Sequence, residues 1–167
     1  MGHHIRGAAV SRHEKFETLF ADNADLVYRY ISRRHRGNNV EDMTSDVFTL
    51  AWTKLDEIPQ GFELAWLYRT AWNVLANAHR KHIDIPTDLD ISGVEPDVAD
   101  DVLTNDKLIH AWNAVGQRDR EVLRLAAWEG LNGRELATVL GTSEGGASAA
   151  LSRARTHLRQ AWDAYEG

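Results

Sequence analysis

Between residues 136 and 158 the chain carries a pattern that leaves few folds open. Leu136, Ala137 and Leu140 recur at helical spacing, Gly141 follows, and after Thr142 and Ser143 a second apolar series runs through Ala147, Leu151, Ala154 and Leu158. A glycine just past a helix can take the left-handed conformation that closes it, and a serine ahead of the next helix can cap its first turn. Small residues at 137, 141 and 147 allow a close, steep crossing. The spacing predicts a helix over 133–140, a tight turn, and a second helix from 143 toward 165: a helix-turn-helix. The second helix frees one face, with Glu144, Ser148, Ser152, Arg155 and Arg159, and Arg153 beside them. Such a helix can enter a major groove N-terminus first, with arginines farther along reaching phosphates. The same hairpin would also serve protein packing alone. Its first turn holds Glu144, Gly145, Gly146, Ser148 and Ala149, with no Arg, Lys, Asn or Gln for bidentate base contacts. Direct base readout there is expected to be weak.

The same helical period recurs upstream. Phe16, Leu19, Phe20, Leu26, Val27, Tyr30 and Ile31 predict a helix over 11–35; Val47, Leu50, Ala51 and Leu55 predict one over 40–55; Leu64, Leu67, Ala71, Val74, Leu75 and Ala78 predict one over 62–82. Shorter helices are expected over 107–115 and 118–128. No strand-like alternation competes, so the fold class is all-α, with two small helical domains. Residues 83–106 hold two of the three prolines, eight acids and no Lys or Arg, which reads as an extended acidic linker or as a plain solvated loop. The net charge of −6 would by itself argue against nucleic acid. The deficit sits in that segment, however: residues 1–82 carry 11 bases against 10 acids, and residues 107–167 carry 8 against 7.

Several classes are disfavoured. Without cysteine there is no disulfide framework, thiolate metal site or cysteine nucleophile. No apolar run approaches the roughly 20 residues that span a bilayer, and the first residues lack the apolar core of a signal peptide. The expected setting is a cell interior, without membrane insertion. His79 and His82 lie three apart with no carboxylate at ligand spacing, and no Gly-rich phosphate loop or nucleophile elbow is present. No enzyme, metal or cofactor is expected.

The residues then resemble a known family. The run 117–125 (QRDREVLRL), the turn 141–145 (GTSEG) and the run 151–159 (LSRARTHLR) are similar to region four of bacterial sigma factors. Residues 40–52 (VEDMTSDVFTLAW) resemble the polymerase-binding helix of region two, and residues 62–80 (FELAWLYRTAWNVLANAHR) its promoter-melting helix. The order, with an acidic joint and no third domain, resembles the extracytoplasmic-function (ECF) group. The resemblance implies region two over 1–82, a linker over 83–106 and region four over 107–167. It implies a transcription initiation factor whose partners are core RNA polymerase and promoter DNA, with an anti-sigma factor as a further family expectation.

Site residues follow from the same resemblance. Asp42, Thr44, Asp46, Val47, Phe48 and Trp52 would dock on the clamp helices of the polymerase, an apolar stripe with a carboxylate rim facing a basic-rimmed partner; ordinary core is the other reading for the three apolar ones. Position 45 is serine where the family usually has glutamine. Gln60 and the loop 59–63, with Trp66, Arg69, Trp72, Asn73, Asn77 and Arg80, and with Tyr68, His79 and Lys81 on the same helix, would hold the melted minus-ten strand with one base flipped into a pocket. Aromatic faces, amide edges and cations are what single-strand capture needs, although Trp66 and Trp72 could equally be core. Arg134, Ser148, Ala149, Ser152 and Arg153 would touch the minus-thirty-five element. The family usually carries Thr, Val, Lys/Arg, Ser and Arg at 146–150, where this chain has Gly, Ala, Ser, Ala and Ala. Two alternatives therefore stay open: a DNA-binding regulator acting without polymerase, and a sigma-like protein whose region four is degenerate and depends on a protein partner.

Overall fold

The computed structural model describes residues 10–82 and 106–165. The linker reading falls outside the described residues except for Asp106, which opens the fourth helix. Helix α1 (Arg12–Ser32) starts where Ser11 completes a reciprocal cap: its hydroxyl accepts from the Glu14 N–H at 3.1 Å, and the Glu14 carboxylate accepts from the Ser11 N–H at 2.7 Å. Each bond satisfies a donor that the first turn leaves orphaned. Ser11→Ala is expected to cost about 1 kcal/mol, read as a lower urea midpoint at unchanged slope.

Helix α2 (Val40–Thr53) is followed by a single 3-10 turn, Leu55–Glu57, and α3 (Glu63–His82) returns across both. Val27, Tyr30 and Ile31 of α1, Met43 and Val47 of α2, and Leu67, Tyr68 and Ala71 of α3 are buried together. In the second half, α4 (Asp106–Ala114), α5 (Gln117–Ala127) and α6 (Gly133–Leu140) pack with α7 (Glu144–Asp163), which lies against all three or their ends. Val115, Val122, Leu123, Ala150 and Ala154 form a small core of its own. The turn between α6 and α7 has the predicted chemistry. Gly141 sits at φ 64°, ψ 39°, the Thr142 N–H bonds the Ala137 carbonyl at 3.0 Å, and the Ser143 hydroxyl accepts from the Gly146 N–H at 3.0 Å.

All seven α-helices among the described residues lie within three residues of their expected ends. The sequence did not reveal how the halves meet. Helix α3 packs on α6, and Leu125, Leu131, Leu136 and Val139 of the second half join one apolar cluster with Leu67, Tyr68 and Leu75 of the first.

Candidate functional site

Three surfaces carry the expected site residues. On the first, the helical period divides α2 into an inner face of Met43, Val47, Phe48 and Ala51 and an outer face with Asp42, Asp46, Leu50 and Trp52. Val47 is wholly buried and Phe48 is 3% exposed, so those two residues pack the core rather than face a partner. Thr44 is half-buried and spends its hydroxyl on the Val40 carbonyl at 2.8 Å. Trp52 is 40% exposed. It stands edge-on to Phe16 with centroids 5.2 Å apart, and the Arg12 guanidinium lies 5.2 Å from its ring while donating to its carbonyl at 2.6 Å. Arg12 also pairs with Asp56. Phe20, 4.8 Å from the Phe48 ring and itself exposed, extends the patch onto α1. Trp52, Phe16 and Phe20 thus form an apolar outcrop, with Asp42 and Asp46 exposed on α2, the arrangement that buries well against a helical partner of opposite charge. Phe20 belongs to the apolar period that predicts α1, and its contacts with Phe16 and Phe48 place it on this patch.

On the second surface, α3 turns Asn73, Asn77 and Arg80 to solvent, the last two joined by an Arg80 Nη2 to Asn77 Oδ1 bond of 2.5 Å. Arg69 is exposed too, but its Nη1 donates to the Val139 carbonyl of α6 at 3.2 Å. Trp66 is half-buried beside the core, as the core reading allowed. Trp72 is half-buried on a small cavity of about 20 Å³ that it shares with Arg34, His79, Gln117, Glu121 and Arg124. Tyr68 is buried, its ring stacked on Tyr30 at 4.6 Å. Gln60 lines a groove of about 780 Å³, walled by Leu19, Ile58, Phe62 and Leu64 and bordered by Asp22, Asp56, Glu63 and Glu135 against the single cation Lys15. Its apolar walls suit a flat ring and its carboxylates disfavour a phosphate.

The third surface is the exposed face of α7, with Ser148, Ala149, Ser152 and Arg153. Arg134 of α6 is exposed, donates to Glu144 at 3.1 Å, and lies 5.4 Å from the Phe62 ring of the first half. Ala147 and Ala154 are buried and Leu151 and Leu158 half-buried, as their spacing predicted.

A fourth cluster went unread in the sequence. The end of α1 meets α5 through Arg34, which donates through Nε to Glu121 at 3.0 Å and through Nη1 to Glu129 and to the Tyr30 carbonyl, each at 3.1 Å. Arg33 Nη1 reaches both Glu129 oxygens at 3.1 Å, and Arg124 Nη1 lies 3.8 Å from Glu121. Arg34 and Glu121 are buried, and the Arg34 guanidinium stacks 3.6 Å from the Tyr30 ring centre. Burial, reinforced by the two carboxylates, pushes the Tyr30 hydroxyl far above its ordinary value; burial and Glu129 do the same to Tyr68. Both stay neutral donors. Desolvation acts to lower the Arg34 pKa, the Glu121 and Glu129 carboxylates act to raise it, and the net shift is upward. Among the described residues no group of three or more His, Asp and Glu is placed to hold a metal ion, and no helix is long and apolar enough to cross a membrane.

Comparison with known proteins matches these parts. Residues 19–83 match the family model for Sigma-70 region 2, and residues 106–158 that for Sigma-70, region 4. The ECF RNA polymerase sigma factor BldN of Streptomyces coelicolor is 31% identical over 152 residues, covering 84% of this chain. The chain spans only 58% of that relative's length. The RNA polymerase sigma factor CnrH of Cupriavidus metallidurans is 30% identical over 142 residues, covering 75% of this chain and 74% of the relative. The fold is similar to that of CnrH in a complex with the cytosolic domain of CnrY, with a TM-score of 0.57 at 24% identity over 89% of this chain and 88% of that one. It is also similar to the sigma factor RpoE of Bartonella quintana in a complex with the anti-sigma factor NepR, with a TM-score of 0.61 at 20% identity over 89% and 97%. With both regions matched in order, and a relative at 30% identity across three quarters of each chain, this chain belongs to the sigma-70 family of bacterial transcription initiation factors, in its ECF group.

Proposed function

We infer that this chain directs core RNA polymerase to promoters and opens them, and that it is not itself an enzyme. Its place is the bacterial cytoplasm, at the nucleoid. The outcrop around Trp52, with Asp42 and Asp46, docks on the polymerase. The outer face of α3 takes the melted minus-ten strand. The α6–α7 unit lies on upstream duplex through Arg134, Ser152 and Arg153. The observation that carries the reading is the row Asn73, Asn77 and Arg80, polar and solvent-facing along α3, whose other face of Ala65, Leu67, Tyr68, Ala71 and Leu75 is packed in the core. Amides and a guanidinium spaced along a helix can follow a strand, reading base edges and holding phosphate. The groove beside Gln60 would accept an unstacked base. An anti-sigma factor is a fitting further partner, since CnrH and RpoE have been captured with the CnrY domain and with NepR.

Run-off transcription with core polymerase on promoter fragments tests the reading. We expect promoter-specific transcripts, and expect Asn73→Ala to lower their yield about tenfold, equivalent to about 1.4 kcal/mol, without weakening binding to core. Absence of both transcripts and core binding would sink it. A second reading has one observation in its favour: the first turn of α7 presents Glu144, Gly145, Ser148 and Ala149, with no side chain suited to bidentate base contact. In that reading region four depends on a protein partner, and transcription requires a cell extract rather than core polymerase alone.

A further inference from the structure

The first two turns of α1 lie ahead of residues 19–83, the segment that matches region 2, yet they are built onto the docking outcrop. Arg12 reaches across to the end of α2. Its Nη1 pairs with Asp56 of the 3-10 turn, and its Nη2 donates to the Trp52 carbonyl at 2.6 Å and to the Thr53 carbonyl at 3.5 Å. Carbonyls in a last helical turn have no partner within their own helix. Helix α2 carries no basic residue in its last turn, so Arg12 supplies from α1 the cation that its negative end favours. The same guanidinium lies over the Trp52 ring, 5.2 Å from its centre, while Phe16 and His13 meet that ring edge-on at 5.2 and 6.4 Å. Residues 12–16 thus hold both the backbone and the indole of Trp52. The indole is nonetheless 40% exposed and free to bury against a partner.

We propose that Arg12 is a positioning residue for polymerase docking, fixing the Trp52 indole in the orientation it presents and being fixed in turn by Asp56. The inference rests on the reading of this outcrop as the docking surface. Two properties suit arginine to the place. Its planar fork can hold a carboxylate and a carbonyl at once while its face covers a ring, which the compact ammonium of lysine cannot do. Its charge would repel a basic-rimmed partner, and pairing with Asp56 offsets that repulsion. An aromatic anchor held before contact loses less side-chain freedom when the complex forms. The salt bridge itself, with both side chains open to water, adds little to folding. Its contribution is to the docking surface.

The test uses the full chain with fluorotryptophan at its six tryptophans, the Trp52 signal being assigned by its loss in Trp52→Phe. Arg12→Ala is expected to free the indole, lowering the transverse relaxation rate of that fluorine signal by about a third as local order falls from rigid toward flexible values. Affinity for core polymerase should fall about fivefold, the cost of ordering one side chain. In the Trp52→Ala background the same substitution should change core affinity by less than about twofold, because the ring it acts through is gone. Arg12→Lys should behave as alanine does, since the ammonium lacks the fork. Unchanged relaxation in Arg12→Ala overturns the proposal. So does full rescue by lysine, or an undiminished loss of core affinity in the Trp52→Ala background. Should Arg12→Ala lose its helical circular dichroism, Asp56→Asn takes its place: it removes the anchor and should shift relaxation and affinity in the same directions. No shift in either would overturn the proposal. The relaxation measurement needs no polymerase. If Trp52→Ala bound core as tightly as the parent, the docking reading would fall, and relaxation would still decide whether Arg12 holds the ring.

Discussion

Replacing Trp52 with alanine is expected to weaken binding to core polymerase about thirtyfold while leaving the chain folded. The indole is 40% exposed and sits at the centre of an aromatic outcrop with Phe16 and Phe20. A tryptophan in that position is the kind of anchor whose truncation costs about 2 kcal/mol or more at an interface. Its contacts within the fold are peripheral: the edge-on rings of Phe16 and His13 and the Arg12 guanidinium above it. Phe48→Ala, four residues earlier on the same helix, is expected to behave in the opposite way. That ring is 3% exposed and packed within the core, so its loss should cost about 3–5 kcal/mol of folding stability. The pair is measured by competition binding to core polymerase and by thermal melting. Expected are a large binding loss with a small melting shift for Trp52→Ala, and a melting temperature lower by roughly 10 °C for Phe48→Ala. If Trp52→Ala bound core as tightly as the parent, the outcrop would not be the docking surface.

Gly141→Val should lower stability by about 2 kcal/mol and the melting temperature by roughly 6 °C. The residue holds φ 64°, ψ 39° between α6 and α7, a conformation that places a β-branched side chain against its own backbone. A second effect reaches across the molecule, because a Cβ at 141 would overlap the Arg69 guanidinium of α3. Gly141→Asn separates the two. Asparagine tolerates the left-handed region but still collides with Arg69, whose exposed guanidinium can move at little cost. Asn is therefore expected to lose less than half of what Val loses. Equal melting temperatures for Val and the parent would mean the turn does not require a left-handed residue.

What could be read in advance followed from local chemistry. Gly141 and Ser143 marked the turn because one permits a backbone conformation and the other supplies an oxygen, and neither needs a distant partner. The α7 stripe of Ala147, Leu151, Ala154 and Leu158 was legible because helical period alone selects it. Phe48 and Trp52 were harder. They are one helical turn apart, and only the position of α1 decides that one ring is inside and the other out. Arg34 and Glu121 were beyond reach. They stand 87 positions apart, and in the sequence each is one charge among many that normally face water. Nothing local distinguishes an arginine about to be buried from one that stays solvated. The contact between the halves was invisible for that reason, and with it the covering of Trp72.

The start of α7 carries a consequence of its own. A side chain at 146 would collide with the Thr142 hydroxyl and crowd that of Ser143, whose oxygen already caps the Gly146 N–H. The bare first turn therefore sits against the cap that begins the helix, and a larger residue there would first have to turn the exposed Thr142 side chain away. On the proposed docking of α6 and α7 on upstream duplex, a first turn without base-contacting side chains would penalise few changed base pairs, and the upstream half of the promoters would be free to drift. Selection on those promoters would then fall on the downstream strand, and regulons could grow or shrink by mutations within a few bases of the start site.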